Sequence, residues 1–125
     1  MILIAKLTIS AAEMAIMELI WDQSGAVTAN QLQTLLPKEN SWKPTTVLTL
    51  LKRLTQKKVL SLKKMGKVNS YTALISREQY KEIQTNAFLQ TMHGGSVKSF
   101  LSALYNGKQI SEKDLLELKK WLEEV

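Results

Sequence analysis

Trp42-Lys43-Pro44-Thr45-Thr46-Val47-Leu48-Thr49-Leu50-Leu51-Lys52-Arg53-Leu54 reads as one helix with two unlike faces. Pro44 suits a first helical turn, where the N–H that proline lacks would be unpaired anyway. Val47, Leu50, Leu51 and Leu54 recur at the i, i+3, i+4, i+7 spacing and fall in one apolar stripe. Thr45, Thr49, Lys52, Arg53 and Gln56 fall on the opposite side. The helix is expected to fade near Lys57-Lys58, where two positive charges suit the negative end of the helix dipole.

Two helix starts lie upstream. Ser10-Ala11-Ala12-Glu13 is a capping box, followed by Ala12, Ile16, Leu19 and Ile20 at helical spacing and a turn cluster from Asp22 to Gly25. Thr28-Ala29-Asn30-Gln31 is a second box and opens a short helix bearing Leu32, Leu35 and Leu36, which Pro37 stops. Downstream, Val59, Leu60 and Leu62, then Val68, Tyr71 and Ala73, read as two strands joined by Met65-Gly66-Lys67, with Gly66 free to take positive φ. Helix, helix, helix, hairpin is the order of a winged helix-turn-helix. Met1–Leu7 is apolar but broken by Lys6, too short to span a membrane or serve as a signal core, and is read as an N-terminal strand or arm.

From Ser76 the character changes. Ser76-Arg77-Glu78-Gln79 starts a long helix with Tyr80, Ile83, Ala87 and Phe88 apolar, ended by His93-Gly94-Gly95. Val97, Phe100, Leu101 and Leu104 form a second stripe, Asn106-Gly107 a turn, and Ser111-Glu112-Lys113-Asp114 caps a last helix with Leu115, Leu118, Trp121 and Leu122. Three short helices give three apolar stripes and little to cover them, and cores of that size usually need a partner subunit. The expected organisation is a DNA-binding domain over 1–75 and a helical dimerisation domain over 76–125, mostly α with a small β-hairpin wing.

Charge divides along the same line. Residues 1–75 hold ten Lys/Arg against four Asp/Glu, whereas 76–125 hold seven of each, so the whole net charge of +6 sits in the first part. A basic half joined to a neutral half fits a polyanion-binding module plus something else. Against it stands the reading of a solvated surface, or of a winged helix that binds proteins. Catalysis needs a nucleophile, base or metal in a shaped pocket. One His, no Cys and no glycine-rich phosphate loop leave little to build an enzyme with, and no cofactor or metal site is expected. Trp21, Trp42 and Trp121 are read as packing residues and His93 as a helix end. The absence of Cys fits a reduced, cytoplasmic setting.

The segment from Trp42 to Leu54 resembles the recognition helix of the BlaI/MecI repressor family. Ile9-Ser10-Ala11-Ala12-Glu13 with Ile20-Trp21 resembles that family's first helix, Gly66-Lys67 followed by Tyr71 its wing, and Gly94 to Ser99 the entry to its second C-terminal helix. The resemblance runs from about Leu7 to the end. It implies a homodimer that binds a two-fold-symmetric double-stranded operator and blocks transcription, as in β-lactamase-type resistance operons. The family's copper-responsive branch carries a C-terminal Cys cluster, which this chain lacks. In the β-lactam branch a membrane-bound sensor protease triggers cleavage in the C-terminal domain. The matching region is Ser102-Ala103-Leu104, where the family's Asn-Phe bond is absent, so either another bond is cut or the protein answers another signal.

On this reading the start of the recognition helix faces base edges through Lys43, Thr45, Thr46 and Thr49, with Lys52 and Arg53 nearer the backbone. Lys57, Lys58, Lys63, Lys64 and Lys67 supply charge for phosphates. Many family members carry Lys and Arg where this chain has Thr45 and Leu48. Leu48 can offer only apolar contact, such as with a thymine methyl, which predicts an altered or A·T-richer operator, or a weaker repressor. The dimer is expected to form through Tyr80, Ile83, Ala87, Val97, Phe100, Leu101, Leu104, Leu115, Leu118, Trp121 and Leu122.

Overall fold

The computed structural model describes residues 8–125; the expected N-terminal strand or arm, Met1–Leu7, lies outside the described residues. The first helix, α1, spans Ala11–Trp21 and starts on a complete capping box. The Glu13 amide donates to Ser10 Oγ at 3.1 Å, and the Ser10 amide donates to Glu13 Oε1 at 2.8 Å. The second, α2 (Ala29–Leu35), starts on the same device, built from Thr28 and Gln31. Between them lies a strand of two residues, β1 (Val27–Thr28), which the sequence did not announce. So short a strand carries no alternation, and Thr28 also serves as the helix cap.

The third helix, α3, covers Pro44–Gln56 and buries Val47, Leu50, Leu51 and Leu54, the stripe expected of it. It is followed by β2 (Leu60–Met65) and β3 (Val68–Ala73). The three strands form one antiparallel sheet in the order β1-β3-β2. β3 pairs Tyr71 with Leu62 on one side and with Val27 on the other. Met65 opposite Val68 closes the hairpin over two residues, Gly66 and Lys67. Gly66 has φ +68, while Lys67 is not among the positive-φ residues. That sign pattern belongs to a type II′ turn, whose twist matches the flanking strands.

The core lies where α1, α3 and the sheet meet. Ile16, Met17, Leu32, Val47, Leu51 and Leu54 are fully buried, each worth about 1.5–3 kcal/mol of apolar transfer. Three expected apolar positions stay outside it: Leu35, Leu62 and Val68 are exposed.

The fourth helix, α4 (Arg77–His93), is anchored to α1 by its first turns. Arg77 Nη2 reaches Asp22 Oδ1 at 2.8 Å and Glu18 Oε2 at 3.0 Å, and its guanidinium lies 5.5 Å from the Trp21 ring centroid. Trp21 Nε1 donates to the Ile75 carbonyl at 2.9 Å. These ties carry the first compact unit to Gln84, past the boundary expected at residue 75.

The second unit, from Thr85 to Val125, contains the rest of α4, then α5 (Val97–Asn106) and α6 (Glu112–Glu124). Phe88, His93 and Phe100 meet edge to face, with centroids 5.5–6.1 Å apart, and His93 Nδ1 lies 2.9 Å from Ser99 Oγ. Neither α5 nor α6 buries a single residue within the chain.

Candidate nucleic-acid interface

α3 turns its polar stripe away from the core. Lys43, Thr45, Thr46, Thr49, Lys52 and Arg53 are all exposed, and Leu48 stands among them with 48% of its surface open. Thr45, Leu48, Thr49 and Lys52 follow the i, i+3, i+4, i+7 spacing, so they form one strip along the helix. Thr49 Oγ1 donates to the Thr45 carbonyl at 2.9 Å. Its proton is engaged within the helix, and it presents lone pairs and a methyl group outward. Leu48 takes no part in the buried core. The polar strip, the uncapped start of α3 and the loop before it make a surface with N–H and ammonium donors, hydroxyl acceptors and one apolar contact.

The wing adds charge. Lys63 and Lys64 on β2 and Lys67 in the turn are exposed. Lys57, expected to join them, does not. Its Nζ lies 2.7 Å from Glu13 Oε1 and donates to the Thr8 carbonyl at 2.7 Å. Glu13 is 2% exposed, and a carboxylate buried to that degree draws the nearest cation inward. Burial pushes the Glu13 carboxyl up, but the Lys57 ammonium and the Ser10 amide and hydroxyl outweigh it and hold the group below its ordinary value.

Tyr80, expected at a dimer contact, is instead buried in the first unit. Its ring centroid lies 6.0 Å from that of Trp21. Burial raises its phenol pKa, which a hydrogen bond with the Ile9 backbone opposes. Its apolar surface is therefore covered by the winged helix itself. Ile83 belongs to the same unit and is half-buried, as is Ala87 beyond it. Of the other expected contact residues, Phe100, Leu101, Leu104 and Leu118 are half-buried, whereas Val97, Leu115, Trp121 and Leu122 are exposed. Val97, Leu101, Tyr105, Ile110, Leu115 and Leu118 line an open groove of about 720 Å³. Ser102, Ala103 and Leu104 lie inside α5, with the first two exposed.

The profile of one family, penicillinase repressor, matches residues 9–124 of the chain. The chain belongs to that family. It is 34% identical over 116 residues to the penicillinase repressor of Bacillus licheniformis, covering 93% of this chain and 90% of the relative. It is 26% identical over 120 residues to the penicillinase repressor of Staphylococcus aureus, covering 96% and 94%. It is also similar to the methicillin resistance regulatory protein MecI of Staphylococcus aureus, at 27% identity over 114 residues, covering 91% and 92%. Among solved structures, the DNA-binding domain of the repressor BlaI superposes with a TM-score of 0.52 at 37% identity, over 58% of this chain and 88% of that one. The monomeric form of Bacillus licheniformis BlaI, in complex with the blaP half-operator, superposes with a TM-score of 0.50 at 36% identity, over 59% and 89%. The winged helix expected from the order of elements is therefore the fold of a penicillinase repressor's DNA-binding domain.

Two residues with structural roles, Arg77 and Gln33, escaped the sequence. Arg77 had one usable signal: α1 ends with Glu18 and Asp22 and no basic residue in its last turn, an arrangement that opposes the helix dipole and calls for a cation from elsewhere. Gln33 had none. Its amide donates to the Trp42 carbonyl at 2.7 Å, a contact that no periodicity encodes. Among the described residues no cluster of three or more His, Asp or Glu side chains is placed to hold a metal ion, and no helix is long and apolar enough to cross a membrane.

Proposed function

We propose that this penicillinase repressor family member is a homodimeric, cytoplasmic transcriptional repressor that binds a two-fold-symmetric DNA operator. Lys43, Thr45, Thr46, Leu48 and Thr49 read base edges, while Lys52, Arg53 and the wing lysine Lys67 hold the phosphate backbone. The observation that carries this reading is the exposed polar strip of α3, set opposite a fully buried apolar stripe, in a fold shared with BlaI bound to a half-operator. An α-helix fits the major groove, and phosphate contacts from Lys and Arg set the register of the base-reading side chains. In repression, the bound dimer occupies the operator and denies it to the transcription machinery.

The dimer is supported by the second unit. α5 and α6 leave Val97 and Leu115 open along an apolar groove and Trp121 and Leu122 exposed on α6, and a second copy supplies the matching apolar surface. Two winged helices tied in this way reach two half-sites, and a closed two-fold pair is the commonest assembly of soluble oligomers. The regulated operon is one of the β-lactamase or resistance type on the strength of the relatives' names. Release by a membrane-bound sensor protease pathway, through cleavage near Ser102-Ala103-Leu104, requires α5 to open first, because these residues are helical.

Fluorescence anisotropy tests the reading. DNA upstream of the protein's own gene is compared with random duplex of equal length across a salt series. A symmetric site bound at least ~10³-fold tighter than random DNA at physiological salt is the expected result. Equal, steeply salt-dependent binding to both would leave a DNA-coating protein. No binding at low salt would move the fold's use to protein contacts, and full binding after both Lys43 and Lys67 are changed to Glu would place the DNA-binding surface elsewhere.

A further inference from the structure

We infer that Gln33 is a positioning residue for the base-reading turn of α3, an assignment that rests on the repressor reading above. The turn needs one. Each of the five other helices begins on a hydroxyl whose oxygen accepts a first-turn amide: Ser10, Thr28, Ser76, Ser96 and Ser111. α3 begins on Lys43, whose side chain makes no capping hydrogen bond. The Thr46 and Val47 amides fold back onto the Lys43 carbonyl at 2.9 and 3.2 Å, so the backbone alone closes this turn. Pro44 fixes one dihedral of it but donates nothing.

What holds the turn from outside is α2. Gln33 Nε2 donates to the Trp42 carbonyl at 2.7 Å, one residue before the cap. Trp42 itself packs against the core, so its peptide is held on one side by the ring and on the other by the amide. Lys43, Thr45 and Thr46 follow directly, and their side chains are the ones placed at base edges.

The other half of the same amide marks its purpose. Gln33 Oε1 is buried and has no hydrogen-bond partner among the described residues. An acceptor left so is unfavourable, and an apolar side chain at this half-buried site would avoid it. The residue is worth its orphaned oxygen only for its N–H. The Nε2 bond to Trp42 also settles which end of the amide is nitrogen, because a carbonyl partner requires a donor.

Gln33→Met is the test. It keeps length and volume and removes both the donor and the orphaned acceptor, so global stability is expected to stay close to wild type. Affinity for the upstream fragment that wild type binds best is expected to fall roughly three- to tenfold, the range of one lost net hydrogen bond, with random duplex unchanged within about twofold. Amide hydrogen exchange at Lys43, Thr45 and Thr46 in the free protein is expected to quicken, a change that needs no DNA. Gln33→Lys keeps a donor without an acceptor, and should restore the ratio of specific to random binding and the slow exchange. Unchanged specific affinity and exchange in Gln33→Met would overturn the assignment while leaving the repressor intact. So would a large drop in thermal midpoint with specific and random binding falling together, which marks a purely structural role. A wild-type protein without preference for any upstream fragment overturns the repressor reading, and this assignment with it.

Discussion

Lys57 Nζ sits 2.7 Å from Glu13 Oε1, joining the C-cap of α3 to the first turn of α1. The same carboxylate oxygen accepts the Ser10 amide that closes the α1 capping box. One buried oxygen therefore fixes the start of the first helix and the end of the third. This converts a lysine from the basic excess into a structural tie, and it separates Lys57 from the wing lysines.

Lys57→Met should destabilise the fold by about 1–3 kcal/mol, because it leaves the Glu13 carboxylate buried without its cation. Urea unfolding measures this. The salt slope of DNA binding should not change. Lys63→Ala and Lys67→Ala should do the reverse: little change in stability and a loss of roughly one from the salt slope for each phosphate contact removed. A Lys57→Met protein of normal stability and reduced slope would place Lys57 back on the DNA.

The same pair sets an acid limit. The folded-state pKa of Glu13 is depressed, so its contribution is fully present above the unfolded value of about 4.3 and is lost as pH falls through the folded value. Wild type and Glu13→Gln should therefore differ in unfolding free energy near neutrality and converge as pH is lowered past the ordinary glutamate range. A gap that stays constant across that range would show that the charge of Glu13 is not what the fold uses.

Lys58 has φ +63, directly after the C-cap of α3. The Lys58 amide donates to the Thr55 carbonyl at 3.0 Å and the Val59 amide to the Leu54 carbonyl at 3.1 Å, the two bonds of a Schellman motif. The left-handed position favours glycine, and a side chain there costs roughly 1–2 kcal/mol, partly offset by glycine's freedom in the unfolded chain. Lys58→Gly should stabilise the protein by up to about 1 kcal/mol in urea unfolding. A loss of stability would mean that the lysine side chain contributes more than its backbone costs.

Leu48 occupies the middle of the base-facing strip and offers no hydrogen bond. Leu48→Arg should create a preference for guanine at the facing position, worth about 1–3 kcal/mol for a bidentate contact. Competition binding with single base substitutions measures it. A wild-type operator that already demands guanine there would show that another residue reads that position.

Local signals were the legible ones. Ser10 with Glu13, Thr28 with Gln31 and Ser111 with Asp114 lie three residues apart, so each cap could be read directly and each formed. The buried and exposed faces of α3 followed from the helical period alone. Contacts between distant residues were not legible. β1 exists only because Val27 and Thr28 meet Tyr71 and Ser70, and Arg77 matters only because the fold carries it to Glu18 and Asp22. A lysine after a helix looks the same whether water or a buried carboxylate receives it, which is why Lys57 was grouped with the phosphate contacts. At the end of α5, in the turn expected at Asn106-Gly107, the positive φ falls on Lys108, at +59, while Gly107 sits at −81 as the cap. A Cβ on Gly107 would lie 3.2 Å from the Ala103 carbonyl, so close approach explains that glycine better than turn geometry does.

The open face of the second unit yields the remaining prediction. Trp121 is 56% and Leu122 57% exposed on α6, and the groove that α5 shares with α6 contains Leu101. A stable dimer buries on the order of 1,600 Å² in total, and apolar side chains of this number and size are the material for it. Leu101→Glu places a charge in that groove, where an unpaired carboxylate is costly to bury. Sedimentation should show wild type at twice the monomer mass of 14.1 kDa and the variant at the monomer mass at micromolar concentration. The winged helix shares no buried core residue with this groove, so a single half-site should be bound equally by both proteins. The full symmetric operator should lose the gain that comes from tethering two half-sites, typically a hundredfold or more. A Leu101→Glu protein that remains dimeric would place the interface elsewhere on α5 and α6, and a monomeric wild type that still binds the full operator tightly would make DNA, rather than this groove, the element that brings the two copies together.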